Sequence, residues 1–304
     1  MDAITRMKNL ERPESRIDMI LDTDAYNEID DQFAIAYMLA NRDKLNVKAI
    51  YAAPFHNAKS TGPKDGMEKS YDEIKKVLSM IENTGDIEIL KGSESYLSDE
   101  KTPVVSPAAE HLVKLAESYS SDNPLYVAAI GAITNIASAI LLKPEIIDNI
   151  VVVWLGGHAM HWHDIREFNM WQDIAAARII FGSGVPLVQL PCMGVVSAFT
   201  ISEAELKEWL IGKNKICDYL ARNTIEEASS YASGKPWTRI IWDVTAIAWL
   251  IDGRFVGEYL EKSPIPEYDG HYAYNNRGHF FKYVYHINRD ALADDLFKKL
   301  LRLK

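Results

Sequence analysis

The sequence predicts an α/β fold: an open, doubly wound, mostly parallel sheet with helices on both faces. Two observations support this prediction. Apolar runs of strand length alternate with stretches of helical periodicity, in the order β-α-β-α, over most of the first two thirds of the chain. The short runs are apolar almost throughout, which is typical of parallel strands that helices cover on both faces.

The first strand is predicted at residues 17–21, and a helix at 31–40 follows it directly. After Pro191 the pattern becomes more helical, and residues 238–250 form an apolar segment around Asp243. No Gly/Ser linker, internal repeat or low-complexity segment interrupts the chain, so we expect one domain over residues 1–304. The other predicted elements are strands at 46–53, 125–130, 150–155, 185–190 and 280–287, and helical segments at 67–82, 201–222 and 289–303.

Composition and charge narrow the classes of ligand. The chain is 48% hydrophobic and 25% charged, and its formal net charge is −10. An anionic surface repels a polyanion, so we expect no nucleic-acid partner and favour a neutral or cationic small molecule. The sequence contains no apolar run of membrane-spanning length and predicts a cytoplasmic protein. Cys192 and Cys217 have no metal-binding spacing, and we expect both to be free, buried thiols in a reducing compartment.

An aspartate cluster in ILDTDAYNEIDDQFAIA, residues 20–36, is the most informative stretch. Asp22 and Asp24 end an apolar strand, and Asp30 and Asp31 begin a helix after a five-residue turn. In open α/β sheets the ligand crevice lies at the carboxyl ends of the strands. Carboxylate oxygens without His or Cys favour Ca²⁺ or Mg²⁺. An alternative explains Asp30 as a helix N-cap and Asp31 by its interaction with the helix dipole, but it leaves the acids at the strand end unexplained.

Three further segments complete a pattern. They are AIGAITNIA at residues 129–137, LGGHAMHWHDIREFNMWQDIAAARIIF at 155–181 and IWDVTAIAWL at 241–250. Together with DTDxxxxxDD they resemble the inosine-uridine-preferring nucleoside hydrolase family. The resemblance covers residues 17–250 and implies a nucleoside hydrolase fold with a Rossmann-like core. It also implies calcium-dependent hydrolysis of the N-glycosidic bond of a ribonucleoside, giving ribose and free base, by a homodimer or homotetramer.

The resemblance assigns roles to individual residues by matching position. Asp24 matches the general base that acts on a calcium-bound water. The matching calcium ligands are Asp24, Asp31, the backbone carbonyl of Thr134, and Asp243. The residues matching those that hold the ribose are Asp30, Glu167, Asn169 and Asp243. Each has a structural alternative: Thr134 with Asn135 as a helix cap, and Glu167 and Asn169 as loop residues that satisfy backbone groups. An acid at Asp243 inside an apolar segment is costly unless it is paired or binds a metal.

The sequence departs from the family pattern at the end of the site that binds the base. Trp242 stands where a histidine usually protonates the leaving base, and His161 replaces an asparagine. The turn between the aspartate pairs has five residues instead of three, so Asn27 and Glu28 either face the ribose or only form the turn. His161, in HAMHWH, is the candidate substrate contact and proton donor, and Phe168 is a candidate to stack on the base.

Three functions remain open from the sequence. The first is the calcium-dependent ribonucleoside hydrolase. The second is a non-catalytic ribose- or nucleoside-binding protein that keeps the metal and the sugar contacts. The third is a hydrolase of another N-riboside, such as a nicotinamide or modified-base riboside. Trp242 favours the second or third, whereas the complete set of Asp24, Asp31 and Asp243 favours the first or third.

Overall fold

The centre of the protein is an eight-stranded sheet, seen in a computed structural model that describes residues 2–304. The strands are β1 (Ile17–Thr23), β2 (Leu45–Ala52), β3 (Glu88–Lys91), β4 (Leu125–Ala129), β5 (Ile150–Leu155), β6 (Leu187–Leu190), β7 (Thr200–Ser202), β8 (Thr238–Ile240), β9 (Val256–Lys262), β10 (Ile265–Pro266), β11 (Tyr272–Ala273) and β12 (Phe280–Ile287). The central sheet has the order β3-β2-β1-β4-β5-β6-β12-β9, and β7 with β8 and β10 with β11 form two small ribbons.

All neighbours in the central sheet pair in parallel except β9, which runs antiparallel to β12. The chain adds β2 and β3 on one side of β1 and then continues with β4 on the other side. This reversal of direction between β1 and β4 is the topological switch point of a doubly wound sheet. The predicted fold class is therefore confirmed.

Helices cover both faces of the sheet. They are α1 (Ala3–Asn9), α2 (Asp30–Ala40), α3 (Pro63–Leu78), α4 (Pro107–Ala116), α5 (Thr134–Leu142), α6 (Phe168–Gln172), α7 (Ile174–Ser183), α8 (Glu203–Trp209), α9 (Lys215–Ala232), α10 (Val244–Ile251) and α11 (Arg289–Leu300). Leu21 packs in one apolar cluster with α2, α10 and α11, whereas Ile20 packs in a second cluster with α4, α5 and α7. Because successive strand residues face opposite sides, a strand buried on both faces is apolar throughout.

Several predicted elements differ in their bounds. The segment predicted as helical at 201–222 begins with strand β7 and is divided between α8 and α9 by a turn in which Gly212 has a φ of 76°. A capping box between Ser202 and Glu205 starts α8, and the Asn214 side chain caps α9. Helix α3 starts four residues before the predicted 67–82, because a proline is favoured in the first helical turn.

The burial of the two cysteines agrees with the sequence prediction. Cys192 and Cys217 are both buried and free of disulfides. None of the helices within residues 2–304 is long and apolar enough to span a membrane.

Candidate active site

The functional residues gather outside the carboxyl ends of β1 and β4, at the switch point of the sheet. Asp24 directly follows β1, and Asp30 and Asp31 are the first residues of α2. Asp243 occupies the N-cap position of α10. The N-cap position of α2 belongs to Ile29, so the alternative that explained Asp30 as a helix cap is wrong.

Three of these carboxyl groups form a tight cluster. One carboxylate oxygen of each of Asp30, Asp31 and Asp243 lies within 4.8 Å of the other two, and all three residues are buried. Asp24 is 1% exposed, and within residues 2–304 its Oδ2 atom has no hydrogen-bond partner. A buried carboxylate oxygen without a partner is costly. The set is therefore suited to a hard divalent cation that would draw these oxygens together.

Burial dominates the electrostatics of the cluster. It raises the pKa of Asp24 and Asp30 well above the usual value, and the neighbouring carboxylates raise both further. The carboxyl groups of Asp31 and Asp243 are hydrogen-bonded to each other, which lowers the pKa of Asp31 and raises that of Asp243. Burial still leaves the pKa of Asp31 raised overall, to about 6. Without a cation, these buried carboxyl groups therefore hold protons more readily than exposed aspartates do.

Buried hydrogen bonds fix the strand ends beneath the cluster. Asn135 Nδ2 donates to Asp22 Oδ1 (2.7 Å), and the Ser93 N–H and hydroxyl both donate to Asn135 Oδ1 (2.7 and 2.8 Å). Thr23 Oγ1 donates to Asp31. Asn135 therefore bridges the ends of β1 and β3 from the first turn of α5, and it does not cap that helix.

The side chain of Thr134 is also fixed by a buried hydrogen bond. Its hydroxyl donates to Asp173 Oδ2 (2.6 Å), which also accepts from the Leu97 N–H (3.0 Å). The N-cap position of α5 is Ile133, so the interpretation of Thr134 as a side-chain cap is wrong as well. Thr134 is fully buried and lies outside the cavity lining, and its role as a carbonyl ligand stays a prediction.

An open cavity of about 200 Å³ lies above the carboxyl cluster. Most of the residues singled out in the sequence line it, whereas Thr134 and His161 do not. Those that do are Asp24, Asn27, Asp30, Asp31, Glu167, Phe168, Asn169 and Asp243. The remaining lining residues are Glu28, Ile130, Leu155, His158, Arg166, Cys192, Met193 and Trp242.

Glu167 and Asn169 both satisfy backbone groups, as their structural alternative predicted. Glu167 is the N-cap of α6 and accepts the backbone N–H groups of Gly157 (2.8 Å), Asn169 (2.8 Å) and Met170 (3.0 Å). Asn169 Nδ2 donates to the carbonyls of Ile130 (3.2 Å) and Leu155 (3.1 Å). Both bonds fix the amide plane, so Oδ1 is the atom that Asn169 offers to a ligand.

Two of the three histidines in the HAMHWH loop, His158 and His161, differ in position. His161 is exposed and lies outside the cavity lining. Its Nε2 atom is close to Gly194, because a Cβ atom added to that glycine would lie only 3.1 Å from it. His158 is half-buried, lines the cavity and accepts the Met193 N–H at Nδ1 (3.3 Å). The alternation of histidines in the sequence indicated a cluster but not which member faces inward. Cys192 and Met193, in the loop after β6, gave no signal at all in the sequence.

The longer turn after β1 is hydrogen-bonded to residues from distant parts of the sequence. Arg239 of β8 donates to Glu28 Oε2 (2.5 Å), and its Nη2 lies 3.6 Å from Glu227. Asn57 Nδ2 donates to Asn27 Oδ1 (2.6 Å), so both polar residues of the turn have partners and line the cavity.

Comparison with known proteins agrees with this fold. Residues 19–273 match the model of the family described as inosine-uridine preferring nucleoside hydrolase. The chain therefore belongs to the inosine-uridine preferring nucleoside hydrolase family, as its four motifs predicted.

Curated relatives match over shorter stretches. The pyrimidine-specific ribonucleoside hydrolase RihA of Enterobacter sp. (strain 638) is 28% identical over 155 residues, 49% of this chain and 48% of the relative. The putative pyrimidine-specific ribonucleoside hydrolase RihB of Shigella boydii serotype 4 is 33% identical over 104 residues, 30% of this chain and 43% of the relative. The chain thus spans about half the length, or less, of the curated relatives it matches.

Solved structures extend the likeness over nearly the whole chain. A plant nucleoside hydrolase is 17% identical, with a TM-score of 0.75 and coverage of 94% of this chain and 99% of that one. The purine-preferring ribonucleoside hydrolase of Gardnerella vaginalis is 19% identical, with a TM-score of 0.74 and coverage of 93% and 98%. At these identities the likeness establishes the fold.

Proposed function

We propose that this protein is a calcium-dependent hydrolase that cleaves the N-glycosidic bond of a ribonucleoside to give ribose and free base. One observation carries the proposal: the buried carboxyl groups of Asp30, Asp31 and Asp243 converge within 4.8 Å at the switch point of the sheet, at the floor of a cavity. Family membership supports it, since relatives are named as ribonucleoside hydrolases.

The donor set fits a calcium ion. Asp24, Asp31, Asp243 and the carbonyl of Thr134 would hold it, because all offer hard oxygen atoms and no His or Cys side chain is needed. The unpartnered Asp24 Oδ2 is the strongest sign of fit, since a cation would satisfy it. When bound, calcium lowers the pKa of a water molecule and orients it.

The residues of the chain divide the remaining work. Asp24 accepts the proton of the attacking water, a role suited to a buried carboxylate next to other acids. Asp30, Asn169 and the turn residue Asn27 face the cavity and bind the ribose hydroxyls, with Glu167 beside them. The carboxylates near the sugar stabilise the positive charge that develops on the ring as the base departs.

A non-catalytic nucleoside-binding protein is the second candidate. Trp242 favours it, because the indole in the cavity lining offers no proton to a leaving base. Such a protein would bind ribosides and calcium without releasing ribose.

The deciding experiment assays free ribose after incubation with a panel of ribosides, with calcium and after exhaustive chelation. We expect release that requires calcium and returns when calcium is added back. Full activity after chelation would refute the metal dependence, and binding without release would favour the second candidate. Assembly as a homodimer or homotetramer and a cytoplasmic location stay predictions, which light scattering and cell fractionation would test.

A further inference from the structure

We infer that the base end of the cavity is built for an N-riboside whose base carries a fixed positive charge, such as a pyridinium riboside. By the base end we mean those polar or large lining residues that the proposed calcium and ribose contacts leave free, namely Glu28, His158, Arg166, Phe168, Met193 and Trp242. The inference rests on the proposed function, because it names the substrate class of the same site. Three features of the structure support it.

The first feature is the state of the imidazole at this end. The Met193 N–H donates to His158 Nδ1 (3.3 Å), so the ring proton resides on Nε2. A second proton on Nδ1 would face the Met193 hydrogen and break this bond. Burial also lowers the pKa of His158. His158 can therefore donate a hydrogen bond from Nε2, but it is poorly suited to protonate a leaving base.

The other polar groups at this end are no better as acids. Glu28 Oε2 accepts a hydrogen bond from Arg239, so this carboxylate is held as an acceptor. The Arg166 guanidinium donates to the Asp269 carbonyl (2.9 Å) and lies 4.9 Å from the centre of the Trp171 ring. Trp242 has an indole in place of an ionisable group. A neutral base such as hypoxanthine or uracil must gain a proton as it leaves, and these side chains do not supply one.

The second feature is the sign of the charge. Within the described residues, six carboxyl groups line the cavity and Arg166 is the one guanidinium among them. The six are Asp24, Glu28, Asp30, Asp31, Glu167 and Asp243. Six acidic groups still exceed the four positive charges of a bound divalent cation, Arg166 in the lining and Arg239 on Glu28. A cavity of this charge attracts a cationic ligand and disfavours an anionic leaving group.

The third feature is the aromatic surface. Trp242 and Phe168 are both half-buried and line the cavity. The face of an aromatic ring attracts a cation, most strongly for tryptophan. A tryptophan in place of an acid therefore favours the binding of a cationic ring. A neutral base gains only stacking from the same side chain.

The reaction balances without a general acid. An oxygen atom of water forms a bond to C1′ while the bond from C1′ to the ring nitrogen breaks. The bonding electron pair stays on that nitrogen, so the cationic pyridinium leaves as a neutral pyridine. The proton of the attacking water passes to Asp24 and then to solvent.

Three kinds of riboside separate charge from the need for an acid. Nicotinamide riboside is cationic and needs no proton on leaving, 4-nitrophenyl riboside is neutral and needs none, and inosine and uridine are neutral and need one. We expect kcat/KM for nicotinamide riboside to exceed that for inosine and uridine by at least about 10²-fold, the usual contribution of general acid catalysis. Inosine or uridine cleaved as fast as nicotinamide riboside would overturn the inference.

A pair of inhibitors of similar shape tests the effect of a positive charge on the ligand. 1-Methylnicotinamide and nicotinamide differ by a methyl group and a positive charge. Calorimetry in calcium should show about ten-fold tighter binding of the cation. Equal affinity would overturn the inference. This measurement does not depend on turnover, so tighter cation binding without hydrolysis of any riboside would refute the proposed function and leave the preference for charge intact.

A charge variant completes the test. In Glu28→Gln, kcat/KM for nicotinamide riboside should fall about three- to ten-fold, and that for 4-nitrophenyl riboside should fall less. Glu226→Gln, an exposed glutamate of α9 outside this cavity, is the matched control and should change neither value. An equal fall on both substrates in Glu28→Gln would mean that Glu28 only holds the turn, and the assignment to charge recognition would be overturned.

Discussion

The two ends of the cavity differ in how the fold supports them. At the metal and ribose end, Asp24, Asp31 and Asp243 follow a central strand or begin a helix, and each is at most 3% exposed. At the base end, His158 and Met193 lie on loops and are half-buried. The first end is fixed by buried hydrogen bonds to the sheet, and the second depends on loop conformation. In the proposed function, sugar recognition is therefore a property of the fold, whereas base recognition is a property of the loops.

Removing a carboxylate from the metal end should have the largest effect. In Asp243→Asn, kcat/KM on any riboside should fall by at least about 10³-fold, because the variant loses both a cation ligand and a charge near the ribose. Steady-state ribose release measures this. Asp252→Asn, at the other end of the same helix, is the control and should retain activity.

The same variant also tests metal binding without turnover. Calcium at 100 times its dissociation constant would stabilise the wild type by about 2.7 kcal/mol. The melting temperature of Asp243→Asn should rise much less with calcium. In chelator it should equal or exceed that of the wild type, because a buried carboxyl group has been removed. A calcium shift of the same size in both proteins would exclude Asp243 as a ligand.

Discrimination by the ribose hydroxyls should be the next largest effect. A ribonucleoside should be cleaved about 10³- to 10⁴-fold faster than its 2′-deoxy analogue, since a missing hydroxyl leaves buried polar groups unpaired. The ratio of kcat/KM for the two sugars measures it. Asn169→Ala should reduce that ratio, whereas similar rates on both sugars in the wild type would remove Asp30 and Asn169 from ribose binding.

Introducing an acid at the base end should have a smaller effect, and this change should raise kcat/KM instead of lowering it. Trp242→His would place an imidazole beside Asp243, in the cavity lining. It should raise kcat/KM on inosine about ten-fold or more and leave 4-nitrophenyl riboside less changed, because the phenolate needs no proton. Rates that fall together on both substrates would show that Trp242 shapes the cavity instead of excluding an acid.

The smallest effect is expected at His161. Because this side chain is exposed and outside the cavity lining, His161→Ala should change kcat/KM on inosine by less than about two-fold, as for other surface positions. His163→Ala, on the same exposed loop, is the control. A loss of about 10²-fold on inosine alone would instead establish His161 as the proton donor that the sequence predicted.

The sequence predicted the central strands well and the edges poorly. The bounds of β5 and β12 match the predicted 150–155 and 280–287, and β5 is buried on both faces along its length. Strands β3 and β9 were missed. Both lie at edges of the sheet, and their exposed residues break the continuous apolar run that marks a buried strand.

The same contrast holds for the site. Asp24, Asp30 and Asp31 were found from one local motif, because a strand end and a helix start lie near each other in the chain. His158 and Trp242 meet in one cavity although 84 positions separate them in the numbering, and no local pattern specifies which loop residue turns inward. Loop conformation depends on tertiary packing, which sequence periodicity does not encode.

The bridge made by Asn135 has a consequence for how the protein folds. Its bond to Asp22 joins positions 113 residues apart, and its bonds to Ser93 join positions 42 residues apart. Contacts of such sequence separation form slowly, because the intervening chain must first be ordered. The strand ends beneath the carboxyl cluster therefore come together late, after β1, β3 and β4 have all been placed. Partly folded forms of this chain should then contain helices and central strands before they can bind a cation.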